Sequence, residues 1–367
     1  MTEKRKIAFL IPAHNEGEVL AGCLLSIFSI VPKEDIYVVD DGSTDNTVLV
    51  AKRFTDRVLS QPRSGKAHAL NSAIKMFKLT EKYDYIMPFD ADTKINDSFL
   101  SEVMRIFESD NKKEIAAVTG KVEGTMHNWA TAYRVWEYEV SQAIHKNAQS
   151  VIDAVIVCPG CTTVFRSHVF DKLGYPKGTL TEDMDLTFEM HRRKVGKIVF
   201  TQKSSVVTED PRNISDLGKQ INRWYTGFWQ CLIKHNIPWG GQTLDLEVAL
   251  LATEGLFNGI LVLIFLFFAP ILILKNPKFI LVPLAFDLFI FMIPTLIFVY
   301  LRVKNLSIFK YIPHFYLLRF MSSIIFLSSF VNIVLGIDLK LSTSWNTKRY
   351  NVFQKGKEKL WLNPSLQ

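Results

Sequence analysis

Ile36-Tyr37-Val38-Val39-Asp40-Asp41-Gly42-Ser43 decides the fold: four apolar residues run straight into two carboxylates and a glycine. A short apolar run closed by polar turn residues reads as a buried strand. The pattern recurs on both sides. Residues 7–11 form an apolar run ending in Pro12, and residues 85–89 form another ending in Asp90-Ala91-Asp92. Residues 58–59 read as a further short strand. Between the runs, helical spacing is clear: Leu20, Leu24, Ile27 and Phe28 within 18–29, then 47–54, then Ala69, Leu70, Ala73, Ile74 and Phe77 within 66–77. Strand alternating with helix predicts an α/β domain with a mostly parallel sheet. Ligands of such sheets lie beyond the carboxyl ends of the strands. Asp40, Asp41, Asp90 and Asp92 therefore fall at one site.

The chain has 367 residues, enough for one large domain or two. Its 48% apolar content is unevenly spread, and charges almost vanish between residues 256 and 337. The net charge is +7, yet the polar part carries no polybasic stripe and basic residues gather near the apolar runs. That favours a lipid bilayer over nucleic acid as the partner. Cys158-Pro159-Gly160-Cys161 is a C-x-x-C, but no second ligand pair is spaced for zinc, and its position does not open a helix early in a βαβ unit. Reduced, structural thiols in a cytosolic domain are expected. Residues 1–6 are charged and lead directly into a strand, so no signal peptide is expected.

Three apolar stretches, about 256–274, 279–301 and 311–337, each reach the roughly 20 residues that a bilayer demands. Asp287 and Arg319 are the formal charges inside them, expected to face protein or a water path. Upstream, residues 128–148 carry Trp129, Tyr133, Trp136, Val140 and Ile144 at helical spacing, either a core stripe or a face against lipid or the spans. Residues 214–235 form a second amphipathic, aromatic-rich helix. Three crossings would put the C-terminus opposite the catalytic domain. Residues 338–367, with six Lys/Arg against two acids, argue for the cytosolic side, so either one segment is re-entrant or the count is odd. The cytosolic tail is the preferred expectation.

Four motifs carry candidate chemistry. Asp90-Ala91-Asp92 can hold a divalent cation shared with a diphosphate, or be a solvated turn. Asp40-Asp41-Gly42-Ser43 offers a carboxylate to a base N–H and a close backbone approach, or is a polar turn. Pro12, His14 and Glu16 flank the same pocket. Ser64-Gly65-Lys66 opens a helix, where backbone N–H groups and the lysine suit a phosphate. Neither a P-loop nor G-x-G-x-x-G spacing is present, which counts against NAD. Thr181-Glu182-Asp183 is either a helix cap or a general base on an acceptor hydroxyl. Gln220-Ile221-Asn222-Arg223-Trp224 lies on the second aromatic helix.

In this order, the four motifs followed by spans resemble the family 2 inverting glycosyltransferases of the membrane-embedded type, which includes cellulose, chitin, hyaluronan and poly-N-acetylglucosamine synthases. The resemblance covers residues 6–240 and the spans. It implies a GT-A-like nucleotide-sugar domain over 1–213, interface helices over 214–250, spans over 251–337 and a basic tail over 338–367. It implies that Asp41 contacts uracil, that Pro12, His14 and Glu16 line the nucleoside pocket and that Lys66 lies near the nucleotide. It implies Asp90 and Asp92 as metal and diphosphate carboxylates for Mg²⁺ or Mn²⁺, with Asp92 the direct ligand. Asp183, beside Glu182, resembles the catalytic base. Gln220, Arg223 and Trp224 resemble the motif that closes over the diphosphate and stacks on an acceptor sugar. Residues 158–166 match the stretch lining the acceptor site. Ser344-Trp345-Asn346-Thr347-Lys348-Arg349 is loosely similar to a hyaluronan-synthase tail motif. The implied activity is transfer from a UDP-sugar, UDP-N-acetylglucosamine or UDP-glucose, to a growing polysaccharide, or alternatively of a single sugar to a lipid-linked acceptor. An export partner or a homo-oligomer is left open. Many relatives carry one or two spans ahead of the catalytic domain, and none is read here.

Overall fold

The computed structural model describes residues 5–337. One sheet of eight strands organises the first two-thirds: β1 (Arg5–Ala13), β2 (Ile36–Asp41), β3 (Val58–Gln61), β4 (Tyr83–Pro88), β5 (Thr93–Ile95), β6 (Ile115–Gly124), β7 (Thr163–Arg166) and β8 (Lys197–Thr208). Their order is β3-β2-β1-β4-β7-β6-β8-β5. The β3-β2-β1-β4 half is wholly parallel, as is the β6–β8 pair, whereas β7 runs antiparallel to β4 and β6, and β5 to β8.

Every residue of β2 is buried. The period of two divides it between two cores, as burial on both faces of a parallel sheet requires. Ile36 and Val38 join Ile7, Phe9 and Ile11 on one face. Tyr37 and Val39 join Ala8 and Leu10 on the other. Helix α1 (Leu20–Phe28) covers the first face with Leu20, Leu24 and Ile27, and α2 (Lys66–Met76) covers the second with Ala69, Leu70, Ala73 and Ile74. Each buried leucine or isoleucine here contributes about 1.5–3 kcal/mol. The strand also outruns its apolar stretch: Asp40 and Asp41 are its last two residues, paired in register with Ser60 and Gln61 of β3.

Helix α3 (Trp129–Ser141) starts at an Asn128–Thr131 capping box. Its aromatic stripe packs against the apolar helices. Tyr133 and Trp136 are buried against Phe315, with ring centroids at 5.6 and 5.8 Å, and Trp136 Nε1 donates to Thr295 Oγ1 at 3.0 Å. Ile144 leaves the stripe and is exposed, because a π-helical turn at Gln142–Lys146 shifts the register before it. Helices α4 (Glu182–Arg192) and α5 (Ile214–Lys234) follow.

Among the described residues three helices are long and apolar enough to cross a membrane: α6 (Thr243–Lys275), α7 (Lys278–Val303) and, within the stretch Leu306–Val334, α8 (Ile312–Val334). The first begins well before the expected apolar stretch and runs through the expected boundary at 250/251, because Asp245 caps it, accepting from Gln242 N at 2.9 Å. Asp287 of α7 and Arg319 of α8 are partners: Nη1–Oδ2 is 2.9 Å and Nη2–Oδ1 is 3.2 Å, with the Tyr316 hydroxyl donating to Oδ2 at 2.6 Å. The basic tail and its Trp345 motif lie outside the described residues.

Candidate active site

A single cavity of about 1670 Å³ opens at the carboxyl ends of β1, β2 and β4 and continues between α6, α7 and α8. Pro12, His14, Glu16 and Asp41 line its outer end. Lys66, Asp90, Asp92, Glu182 and Asp183 follow, then Gln220, Arg223 and Trp224. Asn258, Asp287 and Arg319 line its end between the apolar helices. Pro12 and Arg319, 307 positions apart in sequence, thus line one space.

Local chain geometry sets the outer end. Asn15 takes a left-handed backbone, with φ 56°, and its side chain accepts from Thr44 N at 2.8 Å while its own N–H donates to Ser43 Oγ at 2.9 Å. His14 Nδ1 lies 2.9 Å from the Asp41 carbonyl. These bonds tie the ends of β1 and β2 together. Glu16 is buried, and its N–H donates to Thr47 Oγ1 at 2.8 Å.

Asp41 holds the turn ahead of α2. Its Oδ1 accepts from Ser64 N at 2.8 Å, Ser64 Oγ at 3.0 Å and Gln61 Nε2 at 3.0 Å, and its Oδ2 accepts from Gly65 N at 2.8 Å. Burial opposes ionisation here, but these donors outweigh it and hold the carboxyl below the usual range. The expectation that Ser64 and Gly65 N–H groups serve a phosphate is corrected: both are committed to Asp41. Gly42, at φ 71°, is needed because a Cβ would stand 2.7 Å from Arg63 N.

Lys66 is the electrostatic hinge of the middle. Its Nζ lies 2.6 Å from Asp90 Oδ1 and 3.2 Å from Glu182 Oε1. Burial disfavours the ammonium, yet Asp90, Glu182 and Asp183 outweigh that and raise its pKa. Gly160, between the two cysteines, comes close to the pair; a Cβ there would sit 3.2 Å from Lys66 Nζ. The four cysteines are buried and free.

Asp183 stands in the first turn of α4 and accepts from Met184 N at 2.9 Å. Burial and the neighbouring Glu182 push its carboxyl up to about 6, against the pull of Lys66 and Arg223. Thr181 makes no side-chain cap. It packs instead on Gly227 of α5, where a Cβ would lie 2.4 Å from Thr181 Oγ1. Arg223 Nη1 donates to the Leu180 carbonyl at 2.9 Å, fastening the same loop. Gln220 is buried, and its Oε1 finds no protein partner among the described residues. The Trp224 ring carries the Arg134 guanidinium 4.7 Å above its centre. Arg134 is itself buried, 3.4 Å from Asp210 Oδ1 and bonded to Glu137.

No cluster of three metal-ligating side chains occurs among the described residues. Two carboxylates suffice for Mg²⁺ or Mn²⁺ when the remaining ligands are diphosphate oxygens and water, which is how these hard ions usually bind nucleotides. Asp90 and Asp92 fit that donor set, and both line the cavity.

A family model described as "Glycosyltransferase like family 2" matches residues 4–227. The chain belongs to the family 2 glycosyltransferases. Among its relatives of this family, Poly-beta-1,6-N-acetyl-D-glucosamine synthase of Staphylococcus epidermidis is 29% identical over 238 residues, covering 62% of this chain and 56% of that protein. The synthase of the same name from Staphylococcus aureus strain COL is 28% identical over 242 residues, 63% and 57% respectively. The chain thus spans somewhat over half the length of these curated relatives. A solved mannosyltransferase of Pyrobaculum calidifontis, in complex with GDP-Man and Mn²⁺, shares the fold at a TM-score of 0.57 and 16% identity, over 92% of this chain and 89% of that one.

Sequence reasoning missed Lys146, Arg134, Asp210 and Gly227. Arg134 and Lys146 lie within the aromatic helical stretch, where a cation at a buried position was the available signal. For Gly227 the signal was a glycine inside a helix.

Proposed function

We propose that the protein is a membrane-bound inverting glycosyltransferase that moves a sugar from a UDP-sugar onto a growing polysaccharide, with its catalytic domain on the cytosolic side. UDP-N-acetylglucosamine is the favoured donor, in keeping with the named relatives, and UDP-glucose the next. The observation that carries the reading is the single cavity joining the strand-end carboxylates, Asp183 and Trp224 to the apolar helices.

Transfer is one displacement. The acceptor hydroxyl oxygen forms a bond to the anomeric carbon from the face opposite the diphosphate, whose C–O bond breaks and takes the electron pair. Asp183 accepts the hydroxyl proton. Its raised pKa, about 6, leaves it ionised at neutral pH yet a better base than an exposed aspartate. Lys66 and Arg223 stabilise charge growing on the leaving diphosphate, and electrostatic help of this kind is usually the largest contribution to such barriers. Asp90 and Asp92 would hold a divalent cation, which when bound would further neutralise the diphosphate. Trp224, held from one side by Arg134, offers its other face to a sugar ring.

A second reading, transfer of one sugar to a lipid-linked acceptor, is favoured by one feature: the cavity continues past Leu261, Phe265 and Phe320. One experiment separates the two. The protein in detergent is given Mn²⁺ or Mg²⁺ and a panel of UDP-sugars; UDP release is measured and products are sized on a gel. A polymer ladder from one donor is expected. A single-sugar lipid product moves the protein to the second reading, and no release from any UDP-sugar removes both.

A further inference from the structure

Lys146 closes the π-helical turn Gln142–Lys146 that extends α3. Such a turn redirects side chains at a cost in backbone hydrogen bonding and is frequent at functional sites. Here it brings a lysine into the interior: Lys146 is 8% exposed and lines the catalytic cavity. Among the described residues its ammonium meets the Thr119 hydroxyl at a long 3.4 Å and stands 5.3 Å from the centre of the Phe200 ring, and it forms no ion pair. An ammonium has three donors to satisfy. Burial pulls this one down to about 8, against the influence of Cys158, Cys161 and Asp183. The two thiols stay neutral beside it, because burial pushes Cys158 up to about 12 and raises Cys161 likewise.

The position of Lys146 separates it from the diphosphate machinery. Lys66 is held by Asp90 at 2.6 Å and Glu182 at 3.2 Å, whereas Lys146 meets Thr119, whose Oγ1 lies 3.0 Å from Thr162 Oγ1. Thr162 belongs to the stretch 158–166, which Lys146 therefore adjoins. On the Lys146 side the cavity wall adds His145 and Gln149 from the same helical stretch. Both side chains can hydrogen-bond to sugar hydroxyls.

We infer that Lys146 is a recognition residue for the acceptor, donating from its ammonium to a hydroxyl or acetamido oxygen of the terminal sugar that presents its nucleophile to Asp183. The inference rests on the glycosyl-transfer reading above and adds a residue and a ligand atom to it. Without acceptor the ammonium is under-bonded; with acceptor it gains a charge-assisted hydrogen bond in a site shielded from water.

The test uses the full chain, its Lys146→Met and Lys146→Arg variants, UDP-N-acetylglucosamine and defined β-1,6-linked N-acetylglucosamine oligomers. Lys146→Met is expected to raise the oligomer KM about tenfold or more, and to move the donor KM by less than about twofold. Lys146→Arg is expected to recover part of the loss. Methionine suits the apolar surroundings, so thermal unfolding of Lys146→Met is expected at the same or a higher temperature. A lower unfolding temperature with an unchanged oligomer KM would show a structural lysine and overturn the assignment, as would a change confined to the donor KM. Oligomer binding without donor, followed by tryptophan fluorescence, keeps the two readings apart. If the wild-type protein releases no UDP, the proposed function fails; equal oligomer affinity of wild type and Lys146→Met then overturns the role of Lys146 separately.

Discussion

Arg192, near the end of the helix that begins with Glu182 and Asp183, grips Asp245 at the start of the first apolar helix through two parallel bonds: Nη1–Oδ2 at 2.7 Å and Nη2–Oδ1 at 2.6 Å. Arg192 also donates to the His235 carbonyl at 2.7 Å, and Gly240 must be glycine because a Cβ there would overlap the guanidinium. The helix carrying the candidate base is thus bolted to the membrane region by a nearly buried fork.

Breaking that fork should destabilise the protein. Asp245→Ala leaves a guanidinium largely enclosed without its anion, at an expected cost of about 3 kcal/mol. Asp245→Asn retains the shape and should lose less. Thermal unfolding in detergent checks both, and unchanged melting of Asp245→Ala would show that the pair is not what joins the two parts.

The rate should depend on Asp183 in a defined sense. Its carboxyl is raised to about 6. Above that pH it is ionised and can take a proton; below it, the protonated fraction grows and kcat/KM should fall about tenfold per pH unit. Asp183→Asn should abolish transfer while leaving UDP binding intact. A rate flat from pH 5 to pH 8, on the scale of ordinary titrations, would remove Asp183 as the base.

Lys66→Met should lower kcat/KM about 100-fold, the scale of losing one electrostatic stabiliser of a leaving group. The variant should also move the acidic limb of the pH profile. Lys66 pulls the Asp183 pKa down, so its removal should shift that limb to higher pH. A rate loss without the shift would separate the diphosphate role of Lys66 from its influence on Asp183.

Chelation should stop UDP release, and Mn²⁺ or Mg²⁺ should restore it. Asp92→Asn should raise the metal concentration needed for half-maximal rate by about tenfold or more, since a neutral amide replaces a carboxylate ligand. Full turnover after exhaustive chelation would remove the metal role of both Asp90 and Asp92.

Much of the fold was legible because its signals are local. The alternation that sends Val38 to one core and Val39 to the other is encoded in adjacent residues, and so is the presence of three long apolar helices, though not where the first of them begins. The strand-end acids were legible for the same reason: an apolar run stops where carboxylates begin, although the buried strand itself continues through Asp40 and Asp41. The sequence pattern also indicated much of the cavity wall: Pro12, His14, Glu16, Asp41, Lys66, Asp90, Asp92, Asp183 and Trp224 line that one space, whereas Asp40, expected beside them, is buried and accepts from Ser43 N.

Partnerships across long separations were not legible. Asp41 reads as a ligand contact, and only the structure shows that it also accepts from Ser64 and Gly65, 23 and 24 residues away. The aromatic stripe of α3 left core and membrane packing open until Tyr133 and Trp136 met Phe315 of α8. Lys146 was hidden by a π-turn, which changes the face of a helix without changing its periodic composition.

The strands and helices up to residue 89, the strand-end motifs and the three long apolar helices could be read from the sequence, because each depends on neighbours within a few residues; the strands after residue 92 could not, because they are defined by the partners they pair with. Only the tertiary structure decided which groups spend their hydrogen bonds on the scaffold and which face the cavity. Those allocations depend on distance in space, where packing brings together Lys66 with Glu182, Arg192 with Asp245 and Asp287 with Arg319.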